Sequence, residues 1–217
     1  MKVFAKTTVA VLLATSCSLA QADVSANLGY MSEYHFRGIL QKVSSVSGGI
    51  DYESGGFYVG TWAADVGDNY YESGSGLEID GYFGYGTEVG DVALSIGYTG
   101  YFYTGDFDDT YQEINLGAGF GPLSLDVAIG TWDNDFDPLT DGDQDDYTFV
   151  SLTFEHEGFY GTLGTFSQDA DGDYLELGYG TTISEIDVGL SLIFANDDLI
   201  GEADESLVFT IGKSFDL

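Results

Sequence analysis

The sequence predicts an all-β protein, an up-and-down antiparallel transmembrane β-barrel of about twelve strands. Three observations carry that expectation. Apolar residues recur at every second position through most of the chain, the mark of strands with two unlike faces. The connections between these strands alternate between short turns and longer acidic loops, as in barrels that cross a membrane with tight turns on one side. The composition, with 31 Gly, 16 Tyr and 15 Phe beside a formal charge of −32, is that of an aromatic-rich sheet and not of a disordered acidic chain.

The amino end has a basic start at Lys2 and Lys6, a short apolar run and the small residues Ala20 and Ala22. It reads as a secretory signal peptide over 1–22, cleaved to leave 23–217 as one barrel domain. The single cysteine, Cys17, leaves with that segment; acylation there would want Leu where Ala14 stands. The remaining chain has no disulfide to staple it. It keeps Arg37, Lys42 and Lys213 against 37 acids, a net charge of −34. Such a surface repels nucleic acid and draws cations.

In order, the first strand sets Val24, Ala26, Leu28, Tyr30, Tyr34 and Phe36 against Ser25, Asn27, Glu33, His35 and Arg37. The second sets Val46, Ile50 and Tyr52 against Ser47, Asp51 and Glu53. The third, 57–66, is apolar on both parities. The fourth and fifth oppose Leu77, Ile79 and Phe83 to Glu78 and Asp80, and Leu94, Ile96 and Phe102 to Ser95 and Thr99. In the sixth to eighth, Ile114, Leu125 and Leu152 alternate with Glu113, Asp126 and Glu155. The ninth, 159–167, is weakly patterned. The tenth to twelfth carry Leu177, Leu190 and Phe209 opposite Glu176, Asp187 and Thr210.

Short turns follow the even strands at 54–56, 87–90, 121–122, 157–158 and 184–185. Long ones follow the odd strands from the third, at 67–76, 104–110, 133–146, 168–173 and 197–205, and together hold 20 acids and no base. Both ends of the chain then lie on the short-turn, periplasmic side. A lipocalin-like soluble barrel would alternate equally, with its apolar rows inward. The even strand count, the alternating connections and aromatics near strand ends favour lipid outside. Trp62 and Trp132 are expected in the interfacial girdles, and Lys213 is expected to snorkel to the periplasmic interface.

The stretches Ser25-Ala26-Asn27-Leu28-Gly29-Tyr30, Tyr34-His35-Phe36-Arg37-Gly38-Ile39, Gly48-Gly49-Ile50-Asp51-Tyr52 and Gly56-Phe57-Tyr58-Val59-Gly60-Thr61-Trp62-Ala63 resemble the TorF family of porin-like proteins, also called the Gcw_chp family of proteobacteria. Lys213-Ser214-Phe215-Asp216-Leu217 resembles its carboxyl end. The resemblance implies an outer-membrane location and a pore. It implies no particular solute, and Leu40 departs from the small polar residue expected after Ile39.

With the apolar rows toward lipid, the opposite parity lines a lumen with Glu33, His35, Arg37, Asp51, Glu53, Glu78, Asp80, Glu113, Asp126, Glu155, Glu176 and Asp187. An acid-lined interior favours cations over anions. The alternative is a plugged lumen in which Arg37 pairs with several of these acids. Asp169, Asp171 and Asp173 resemble a fragment of a calcium loop, and Asp133 and Asp135 begin like one; Pro138 and Gln144 stand where the EF-hand needs Gly and Glu. Diffuse attraction of divalent cations is the expectation there, with no resident cofactor. His35 and His156 have no nucleophile placed by the pattern, so no enzyme is expected. The reading is a passive, cation-favouring outer-membrane channel of a Gram-negative bacterium for small cationic or neutral solutes. Its expected partners are the lipid bilayer, lipopolysaccharide and the barrel-assembly machinery. The competing reading is a closed structural or surface-interaction barrel with acidic loops.

Overall fold

The computed structural model describes residues 23–67, 75–105, 107–133, 144–201 and 203–217. The signal-peptide reading, Cys17 and most of the 133–146 loop lie outside them. The described chain forms twelve strands: β1 (Asp23–Phe36), β2 (Ile39–Ser54), β3 (Phe57–Gly67), β4 (Ser75–Val89), β5 (Val92–Tyr103), β6 (Tyr111–Phe120), β7 (Leu123–Asp133), β8 (Gln144–His156), β9 (Phe159–Gln168), β10 (Gly172–Ile183), β11 (Ile186–Ala195) and β12 (Asp204–Asp216). Each pairs antiparallel with its sequence neighbour, and β1 closes on β12 through Ser25 opposite Asp216 to Met31 opposite Thr210. Closure leaves no unpaired edge, which explains how so apolar a final strand is tolerated.

The greasy rows look outward. Leu125, Leu190 and Leu192 are 44%, 52% and 44% exposed, whereas Asp187 is 7% exposed. The two strands with poor periodicity resolve the same way. Phe57 and Val59 of β3 and Phe159 and Leu163 of β9 face out, while Ala64, Val66, Thr162 and Phe166 are buried inside.

Tight turns join the strands at one end. Glu157 and Gly158, at φ 51° and 86°, and Ser184 and Glu185, at φ 52° and 67°, both take positive φ at two successive residues, as the twist of a two-residue hairpin requires. At the other end the β11–β12 connection holds a one-turn helix, α1 (Asp197–Ile200), capped by the Asn196 side chain and by Gly201.

The first connection departs from the alternation. The apolar pattern starts the second strand at Val46, but β2 starts at Ile39 and is the longest strand at 16 residues. A two-residue turn, Arg37 at φ 50° and Gly38 at φ 88°, joins it to β1. This tip folds into the barrel. A Cβ added to Gly38 would lie 2.7 Å from the Tyr174 Cβ of β10, so only glycine permits the approach. The bend is accommodated by a register shift between Tyr34 and His35 and by Ser44 at φ 66°.

Four aromatic placements are corrected as a result. Tyr34 and Phe36 share the lipid parity of β1, yet Tyr34 is 1% exposed inside the barrel and Phe36 packs edge-on against Tyr101 at 5.3 Å. Trp62, expected in a girdle, turns inward against Tyr34 at 5.7 Å. Trp132 likewise turns inward and stacks on Tyr111 at 5.6 Å. In each case a lumen filled at the long-loop level offers these rings more buried contact than the bilayer interface does.

Candidate functional site

The interior is organised around Glu113, which the alternation of β6 points inward and whose side chain is 0% exposed. The Arg37 guanidinium reaches it from the hairpin tip in a bidentate pair, with Nη1 donating to Oε1 and Nη2 to Oε2. Tyr147 Oη donates to Oε1 at 2.8 Å, and Tyr101 Oη and Asn115 Nδ2 donate to Oε2 at 3.0 and 2.9 Å. The guanidinium carbon lies 4.7 Å from the centre of the Phe36 ring and 4.3 Å from that of Phe149. Charge pairing, a full donor set and two aromatic faces together offset the desolvation of both ions. The arrangement latches the first hairpin across the lumen, from β1 to β6 and β8.

Beside it on β4, Glu78 and Asp80 are 0% and 4% exposed. Tyr34 Oη donates to Glu78 Oε1 at 2.6 Å. Glu78 Oε2 and Asp80 Oδ1 have no hydrogen-bond partner among the described residues. Tyr101 stands opposite Asp80 in the β4–β5 register and donates to Glu113, so the two acid sites share a wall.

Toward the short turns the lumen changes character. Asp51 accepts from Tyr82 Oη, Glu176 from Tyr160 Oη and Asp187 from Thr182 Oγ1. Each of these tyrosine rings lies over a glycine of a neighbouring strand. A Cβ on Gly60 would come within 2.6 Å of the Tyr82 ring, and one on Gly178 within 2.4 Å of the Tyr160 ring. The same arrangement of glycine under tyrosine, with the hydroxyl on a carboxylate, recurs nearer the long loops where Tyr147 covers Gly130 and donates to Glu113. Sequence reasoning missed these tyrosines. Their signal was a tyrosine on the acidic parity, with glycine at the matching inward position of a neighbouring strand.

Of the other residues expected to line the lumen, Asp126 and Glu155 are half-buried on their strands' inward parity, and Glu53 is exposed near the short turns. Glu33 stands across from Val43 and meets His35 Nε2 at 3.0 Å; His35 Nδ1 lies 3.4 Å from the Gly38 carbonyl. His156 is exposed beside Glu157. The structure therefore brings Arg37, Glu113, Glu78 and Asp80 together, sets Asp51 beside Glu53 on β2, and leaves Glu176 and Asp187 apart from the Arg37 cluster.

In the loops, Asp169 Oδ2 accepts the Asp146 N–H and Asp171 Oδ1 the Gly172 N–H, while Asp173 is exposed. No group of three or more His, Cys, Asp or Glu converges as a metal site among the described residues. Lys213 stands opposite the outward Leu28 and pairs with Glu185 at 3.1 Å.

The fold is similar to that of an outer membrane channel from Pseudomonas putida F1, at 10% identity and a TM-score of 0.52, over 92% of this chain and 97% of that one. It is also similar to a chain solved in work on in-meso crystallization of membrane proteins, at 8% identity and a TM-score of 0.53, over 90% and 84%. OccK1 (OpdK) from Pseudomonas aeruginosa aligns at 12% identity and a TM-score of 0.42, over 81% of this chain; the chain spans 57% of OccK1's length. At these identities the likeness is one of fold. No curated protein matches the sequence. Residues 16–210 match the family described as "Bacterial protein of unknown function (Gcw_chp)", and the chain belongs to that family.

Proposed function

We propose that the chain is a narrow passive channel in the outer membrane of a Gram-negative bacterium, favouring cations and small neutral or basic solutes. The observation that carries this reading is a closed barrel with a hydrocarbon outer wall and inward carboxylates, ten of which were read from the sequence against one inward guanidinium. The first hairpin forms its constriction, narrowing the lumen at the level of Glu113. The outward rows meet the bilayer, and the acidic loops attract divalent cations that bridge them to lipopolysaccharide. The barrel-assembly machinery inserts the chain, and the sequence resemblance to the TorF porin-like proteins supports the same placement.

Reversal potentials across planar bilayers under a salt gradient test the proposal. Cation selectivity is the expected result. Anion selectivity, or no conductance from either the wild type or Arg37→Ala, overturns it. One observation favours the second reading, a closed structural barrel with surface-interacting loops: the Arg37–Glu113 latch sits in a buried layer. Absence of conductance in both proteins would select it.

A further inference from the structure

Glu78 and Asp80 are two positions apart on β4 and so share its inward face. A buried carboxyl oxygen without a partner is costly, and here two such oxygens, unpartnered among the described residues, belong to neighbouring acidic side chains. Among the bases, Arg37 is committed to Glu113, Lys42 Nζ lies 3.6 Å from Asp65, and Lys213 is on the outer wall. Among the described residues no base forms an ion pair with Glu78 or Asp80.

The molecule itself shows what an adjacent seat of this kind holds. At Glu113 a carboxylate, tyrosine hydroxyls and aromatic faces enclose a guanidinium. Around Glu78 and Asp80 the same elements recur: the Tyr34 hydroxyl, the Trp62 ring opposite Asp80, and Tyr101 common to both seats. We propose that Glu78 and Asp80 form a second cation seat, for the guanidinium or primary ammonium group of a small organic solute. A hard metal ion asks for six or more oxygen ligands, whereas two carboxylates walled by aromatic rings suit an organic cation. The proposal deepens the channel reading, on which it rests for the solute's route of entry, and its binding step is measurable without transport.

The test uses the purified protein in detergent, with agmatine as probe and thermal midpoint and tryptophan fluorescence as readouts. Agmatine should raise the midpoint saturably and change the fluorescence of Trp62. The double variant Glu78→Gln, Asp80→Asn should fold at least as stably without probe, because it removes two crowded buried carboxyl groups, and should weaken agmatine binding at least tenfold. Asp169→Asn with Asp171→Asn should leave binding unchanged. The seat is overturned if the wild type does not respond to agmatine, if sodium or calcium chloride at equal ionic strength gives the same response, or if the Glu78/Asp80 variant still binds. Conductance without agmatine binding would sink the seat and spare the channel; binding without conductance would support the seat and sink the channel.

Discussion

The two halves of the barrel share one outer wall and differ inside. Toward the long loops, inward side chains such as Tyr34, Glu78, Tyr101, Tyr147 and Val208 are buried, and the folded hairpin fills the centre. Toward the short turns many inward positions are small and half-buried, as at Ser25, Gly49, Gly84, Ser95, Gly117 and Gly189, with the Tyr82 and Tyr160 rings lying over glycines between them. A twelve-stranded ring is wider than eight strands, whose side chains fill the interior, and narrower than the sixteen to eighteen that leave an aqueous channel. Whether such a ring is shut or open therefore depends on what is placed inside it. Here one half received a hairpin and the other received glycine.

The largest effect should come from breaking that contrast at the latch. Arg37→Ala leaves Glu113 buried without its charge partner and should weaken the inward seat of the hairpin by about 3–5 kcal/mol. Single-channel conductance should rise, and a double-mutant cycle with Glu113→Gln should show strong coupling. Unchanged conductance in Arg37→Ala would show that the hairpin is not the constriction.

The shared outer wall comes next. Leu163 faces out at 58% exposure and stands between Leu152 and Leu175 near the middle of the wall. Leu163→Lys should destabilise the barrel by about 2–4 kcal/mol in lipid, read as a lower urea midpoint for unfolding from vesicles. A neutral result there would mean that this row does not meet hydrocarbon.

A smaller effect is expected in the glycine-lined half. A Cβ on Gly84 would lie 2.1 Å from Tyr58 Oη. Gly84→Ala should displace that ring and cost about 1–3 kcal/mol, measured as a lower thermal midpoint, with the Arg37 latch intact. The smallest belongs to the rim. Lys213 and Glu185 form a solvent-exposed pair, and Lys213→Ala should change stability by about 0–1 kcal/mol. A loss well beyond that would mean Lys213 anchors the barrel at the interface.

Alternation was legible wherever lipid touched one face and water or small residues the other, as in β7, β8 and β11. It failed in β3 and was misleading at the end of β1. Those are the places where the interior is packed: Ala64 and Val66 face a core shared with Met31, Tyr34 and Phe107, so both parities are apolar. Loss of period within an otherwise regular barrel thus marked the filled half, though the sequence alone could not say what filled it.

The strand count, the outward rows and the acidic lumen are set by the sequence itself, because hydrocarbon on one side and backbone pairing on the other impose a two-residue period that each strand carries locally. The inward turn of the first hairpin, the burial of Trp62 and Trp132, and the choice of Glu113 over the other acids as partner of Arg37 were decided by the tertiary structure. Arg37 and Glu113 are 76 residues apart, and which lumen groups meet depends on barrel closure and register, which no local pattern records.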